Sequence, residues 1–173
     1  PFPDTGLATA ALYDEPFMAA LPIKHVLAKK KTITAQQLKN ETMLLLGNGH
    51  CFRDHVLEVC PEFARFSSNA EGIRKSFEGS SLETIKHMVA AGMGVTLVPR
   101  LSVPAEALAQ TATRKKHEDP DMAYLPIVDE SGGLPPTRRV VLVWRKSFTR
   151  YEAIAALRNA IYACELPGVT RLS

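Results

Sequence analysis

The sequence predicts an α/β protein, a sheet whose faces are covered by helices. Two observations carry this. Apolar runs of four to seven residues bounded by glycine or proline recur along the chain, and such runs fit strands buried on both faces of a parallel sheet. Between them lie segments whose apolar residues repeat at helical spacing. Strands alternating with helices are the pattern of layered α/β folds.

The first run, Pro16-Phe17-Met18-Ala19-Ala20-Leu21-Pro22, predicts a buried strand, and residues 34–40 predict a short helix capped by Thr34. Met43-Leu44-Leu45-Leu46 predicts a second strand, stopped by Gly47-Asn48-Gly49. Residues 51–60 read as a helix that Pro61 ends, with Phe52, Val56 and Val59 as its buried stripe. The clearest helix spans 80–91: Ser80 and Glu83 form a capping box, Leu82, Ile85 and Val89 an apolar face, and Gly92 the stop. Strands follow at 95–98, 124–128 and 140–144, with a glycine- and proline-rich loop at 131–136. Residues 149–164 predict an amphipathic helix carrying Ile154, Leu157, Ile161 and Cys164 on one side, which makes Cys164 a core residue.

With 46% hydrophobic residues in a chain of 173, there is enough apolar material for a real core in one or two units. No apolar run approaches the roughly 18 residues that cross a bilayer, and the opening PFPDTGLATA lacks a signal-peptide pattern. A soluble, cytoplasmic protein without a membrane partner is expected, and the opening on Pro1 rather than Met suggests a piece of a longer chain. The net charge of +3 is spread over Lys29-Lys30-Lys31, Arg114-Lys115-Lys116 and Arg138-Arg139. That is thinner than a nucleic-acid-binding stripe, so this stretch is not expected to hold DNA itself.

Three cysteines are too few for a secreted disulfide scaffold. Cys51, however, stands where the Gly47-Asn48-Gly49-His50 turn enters a helix. Unpaired N–H groups and the positive helix end favour an anion there, for cysteine the reactive thiolate, with His50 and Arg53 adding positive charge. A thiolate attacks an O–O bond to give a sulfenic acid, which a second thiol captures as a disulfide. A cysteine that only packs at a helix start satisfies the same spacing, so the residue types alone leave both open. Cys60 comes nine positions later, about 13–14 Å along an intact helix and on its opposite side. A disulfide needs Cα atoms within about 7 Å. If the two bond, the helix must unwind, which turns an oxidation into a structural switch. Zinc would draw on Cys51, His55, His50 and Cys60, but Cys60 faces away and there is no CxxC. A Cys–His hydrolase dyad has neither an oriented base nor an oxyanion pocket to support it.

Gly49-His50-Cys51-Phe52-Arg53-Asp54 resembles the signature around the peroxidatic cysteine of the OxyR family, LysR-type activators of peroxide defence. The likeness continues through Ser80-Ser81-Leu82-Glu83-Thr84, Met88-Val89-Ala90-Ala91-Gly92, Leu97-Val98-Pro99, Tyr124-Leu125-Pro126 and the strand from Arg138 to Arg145. It implies that Cys51 is the thiol peroxide oxidises and Cys60 the one that resolves it. It further implies that His50 and Asp54 organise the peroxide, that Arg53 holds the reduced pocket, and that Arg138 matches an arginine near the reactive thiol. Ser76 stands where some relatives have histidine, and the loop after Glu62 matches poorly.

The resemblance implies a periplasmic-binding-protein-like (type II), two-lobed regulatory domain, here mostly the second lobe. Residues 1–14 and 140–173 would belong to subdomain I, and 15–139 to subdomain II with the cysteines. The family adds a winged helix-turn-helix for DNA, a homo-oligomer (dimer or tetramer), RNA polymerase and a thiol reductant such as glutaredoxin. Hydrogen peroxide is its signal, no cofactor is implied, and the protein is not expected to be an enzyme. A LysR-type regulator sensing a small anionic effector, bound at a helix start such as Ser80-Ser81, is the alternative. Such a sensor needs no second cysteine at this spacing.

Overall fold

A single 16-residue strand, β1 (Leu7–Pro22), supplies the pairing edge for four others. It belongs to a computed structural model that describes residues 6–63, 76–104, 107, 121–131 and 133–172. Arg114-Lys115-Lys116, His117 and most of the loop after Glu62 lie outside the described residues, as does the Ser76 side chain.

The chain divides into two compact units, Pro1–Pro16 with Thr137–Ser173, and Phe17–Pro136. In the first, β1 pairs antiparallel with β6 (Thr137–Arg145) from Leu7↔Arg145 to Pro16↔Thr137, with a register shift between Ala11 and Tyr13. The short β7 (Thr170–Arg171) lies on it at Tyr13 and Asp14. Helix α4 (Tyr151–Ala163) follows β6 and has no buried residue. Tyr162 donates its hydroxyl to the Leu172 carbonyl at 2.8 Å. Cys164, expected in the core, is exposed at the end of α4. The amphipathic pattern was correctly helical, but Ile154 and Ile161 on that side are only half-buried, and Leu157 and Cys164 are exposed.

In the second unit, Phe17 to Leu21 are buried one after another. The sequence suggested a parallel sheet here; β1 instead runs antiparallel to β4 (Thr96–Pro99) and β5 (Met122–Pro126). A continuous apolar run reports that both faces are covered, not which way the neighbours point. The parallel pairing lies elsewhere, between β2 (Met43–Leu46) and β3 (Ser76–Gly79), with Leu45 opposite Glu78 and Leu46 opposite Gly79. Isolated parallel bridges join Met43 to Val95 and Ile33 to Ile127.

The α-helices described in this unit include these three. α1 (Ala35–Leu38) starts at Thr34, whose N–H donates to Gln37 Oε1 at 3.1 Å. α2 (Cys51–Val59) packs on β2. α3 (Leu82–Ala90) packs on β2, β3 and β4. Its cap is Ser81, not Ser80: the Ser81 hydroxyl accepts the Thr84 N–H at 3.1 Å, while Glu83 turns to Lys86. Gly92, at φ 79°, ends α3 with Gly92 N–H to Val89 O and Met93 N–H to Met88 O. This paired arrangement requires a left-handed residue at Gly92.

Candidate functional site

Gly49 adopts φ 94°, which turns the chain from β2 into α2 and leaves His50 extended as the N-cap. The His50 side chain makes no capping bond, so the helix start is open to an incoming group. Cys51 is the first helical residue and is exposed, and Asp54 in the same turn is exposed as well.

Cys60 sits at the other end, as the C-cap, with its N–H on Val56 O at 2.9 Å. It is 2% exposed and packs within the core. Burial, which disfavours the charged thiolate, pushes its thiol up to about 12. Beside it opens a cavity of about 380 Å³ lined in part by Val59, Phe63, Ile127 and Leu134, with Glu58 and Asp129 among its polar residues. The two thiols thus differ in kind: one is accessible at a helix start, the other is sealed at the helix end.

The inner face of α2 is Phe52, Arg53 and Val56. Val59, expected to complete the stripe, is only half-buried, and Arg53 takes the buried share instead. Phe52 lies against Phe17 of β1 with ring centroids 5.8 Å apart. Arg53 donates through Nη1 to Leu46 O at 2.8 Å and pairs with Glu78 Oε1 at 2.9 Å. Its guanidinium is therefore committed to β2 and β3. His55, one turn after Cys51, has a buried Nδ1 that makes no hydrogen bond among the described residues.

Arg138 belongs to the first unit, where Glu15 holds it by Nε at 2.9 Å and Nη2 at 2.7 Å, with Glu15 itself 1% exposed. Next to it Arg139 pairs with Asp14, whose carboxyl the Arg139 hydrogen bonds hold below the usual range. The structure thus gathers Cys51, Arg53 and Asp54 on α2 with His50 as its cap and Cys60 as its end. Sequence inspection missed Glu78, since nothing in Ser76–Gly79 announces a strand. Its one signal is an acid within a chain that buries an arginine. Among the described residues no three His, Cys, Asp or Glu side chains gather as a metal site would require.

A family model described as the LysR substrate binding domain matches residues 1–163. The chain belongs to this family. As a LysR substrate-binding domain it is similar to the "DNA-binding transcriptional dual regulator OxyR" of Escherichia coli (strain K12), 35% identical over 147 residues. That match takes in 83% of this chain and 42% of the relative. The reduced form of OxyR from N. meningitidis superposes with TM-score 0.79 at 35% identity, over 100% of this chain and 73% of that one. For the reduced OxyR regulatory domain of Pseudomonas aeruginosa the values are 0.72 and 35%, over 95% and 69%. The periplasmic-binding-protein-like α/β fold is therefore that of OxyR regulatory domains. The chain spans about 42% of the length of the curated relatives it matches first.

Proposed function

We propose that the chain is the hydrogen-peroxide-sensing regulatory domain of a LysR-type transcriptional regulator, switched by a reversible Cys51–Cys60 disulfide. One observation carries this reading: a nine-residue helix bears an exposed thiol at its start and a buried one at its end. The relatives' names, hydrogen peroxide-inducible genes activator among them, support it.

The Cys51 thiolate attacks one peroxide oxygen, the O–O bond breaks, and the departing hydroxide takes a proton to become water. Cys51 is left as a sulfenic acid. Cys60 then attacks that sulfur and gives up its proton, and a second water leaves. Peroxide has gained the two electrons that the thiols lost. His50 and Asp54 flank the attacking sulfur in sequence and orient the peroxide. Cys60 cannot act from its buried position, because its proton is held too tightly and the intact helix keeps the Cα atoms about 13 Å apart. α2 therefore opens before the disulfide closes, and Phe52 and Val56 leave the core. The thiols are consumed once per event, so the domain is a sensor and not a turnover enzyme. A cytoplasmic thiol reductant of the glutaredoxin class resets it. In the whole protein, a winged helix-turn-helix outside this chain contacts DNA, the regulatory domains assemble as a dimer or tetramer, and RNA polymerase receives the signal.

The test is thiol titration and intact mass after one equivalent of peroxide, on the native chain and on Cys51→Ser. The native chain is expected to lose two thiols and two hydrogens, and Cys51→Ser neither. A native chain that keeps both thiols would overturn the reading in favour of a small-effector sensor.

A further inference from the structure

We infer that Glu78 is a positioning residue for the redox switch, acting through Arg53 to set how readily the Cys51–Cys60 disulfide forms. This rests on the disulfide switch proposed above and adds a residue outside the cysteine motif.

Arg53 is the charged side chain that α2 buries. A guanidinium taken from water needs a full set of partners, and removing one leaves an uncompensated charge in a medium of low dielectric. Here the set joins three elements. Arg53 Nη1 reaches Leu46 O at the end of β2 and Glu78 Oε1 on β3, at 2.8 and 2.9 Å. Leu46 and Glu78 lie on adjacent paired strands, Leu45 facing Glu78 and Leu46 facing Gly79. The helix is thus bolted at its third residue to a two-stranded platform that contains neither cysteine.

Closing the disulfide brings the Cα atoms of residues 51 and 60 from about 13 Å to within about 7 Å. Arg53 is two residues from Cys51, and it leaves its seat when the first turn opens. Glu78 remains on β3. The Arg53–Glu78 pair therefore stabilises the reduced fold and is absent from the oxidised one. The Glu78 side chain is 49% exposed, so water screens the pair and its effect is modest. Losing the charge of Glu78 favours the disulfide.

The experiment equilibrates the reduced chain with mixtures of glutathione and its disulfide, quenches with acid, and counts the Cys51–Cys60 disulfide by mass. Glutathione disulfide takes the two electrons that the Cys51 and Cys60 thiols lose and leaves as two glutathione molecules, so the equilibrium constant reads the switch directly. Glu78→Gln keeps the shape and is expected to raise the constant for disulfide formation about threefold, equal to about 15 mV. Glu78→Asp keeps the charge on a shorter arm and is expected to shift it the same way by less. In an Arg53→Met background, Glu78→Gln is expected to add nothing. A residue that merely holds the fold in both states would lower the urea midpoint of both and leave the constant in place. An unchanged constant in Glu78→Gln, or a shift that survives in Arg53→Met, would overturn the inference. Should Glu78→Gln fail to fold, an unchanged constant in Glu78→Asp would do the same. A native chain that forms no Cys51–Cys60 disulfide in any mixture refutes the proposed function instead.

Discussion

Val56→Ala separates helix opening from simple destabilisation. Val56 is 2% exposed in the middle of α2, between the two thiols. Removing its two methyl groups costs about 1.6 kcal/mol of transfer free energy at about 0.8 kcal/mol per group. Incomplete collapse around the site adds to that. Alanine is the better helix former, which returns about 0.5 kcal/mol. The net loss for the reduced fold is about 1–2 kcal/mol. If α2 unwinds on oxidation, Val56 is already out of the core there, and the oxidised form loses little. The difference then appears in the redox equilibrium as a roughly 5- to 30-fold rise in disulfide formation, since about 1.4 kcal/mol is tenfold. Two assays on the same protein decide it: urea unfolding of the reduced chain, and titration in glutathione buffers. A reduced chain weakened by about 1–2 kcal/mol with an unchanged disulfide equilibrium would show that Val56 stays packed in both states. Helix opening would then not be the switch.

Further expectations concern the thiols themselves. Under native conditions iodoacetamide should label exposed Cys51 first, Cys164 after it, and buried Cys60 only on unfolding; equal rates at Cys51 and Cys164 would remove any activation by the helix start. Cys60→Ser should still consume peroxide at Cys51 but stop at the sulfenic acid or pass to the sulfinic form. An intramolecular disulfide in that variant, detected by peptide mapping, would assign Cys164 as the partner. Burial holds the Cys60 proton up to about 12, whereas an unfolded thiol releases it near about 8.5. Above that lower value the unfolded chain binds fewer protons, so the stability of the reduced fold falls as pH rises from about 9 toward 12. The slope from this group approaches 1.4 kcal/mol per pH unit, about one thiol's worth. Cys60→Ala should lack it, and urea midpoints at about pH 8 and pH 10 would show whether it does.

Local pattern carried much of the architecture. Met43–Leu46 is the strand its apolar run announced, and Cys51–Val59 the helix that glycine and proline bracket. The ends of α2 were legible because helical spacing alone separates Cys51 from Cys60. What local pattern omits is the partner. Strand direction around Phe17–Leu21 depends on residues about 80 to 110 positions away. β1 starts at Leu7 because β6 lies alongside it, although Leu7–Glu15 mixes polar and apolar residues without a buried run. Glu78 was invisible for the same reason: its importance comes from Arg53, 25 residues earlier, and from the strand pairing that brings the two together. Cys164 was misplaced because an amphipathic helix states which side prefers to be covered, not that anything covers it.

The Phe17 N–H donates to Pro136 O at 3.2 Å, and these two residues are the ends of the second unit. A module whose termini already touch is one that a chain can carry as an insertion. Residues 17–136 hold both α2 thiols, Arg53, Glu78 and the Phe17–Phe52 contact within one stretch. If the proposed switch holds, the stretch closed by a short linker from Pro136 to Phe17 would carry it whole. New termini opened in an exposed turn would then let it be spliced into an unrelated host, whose output reports the state of α2 without any promoter.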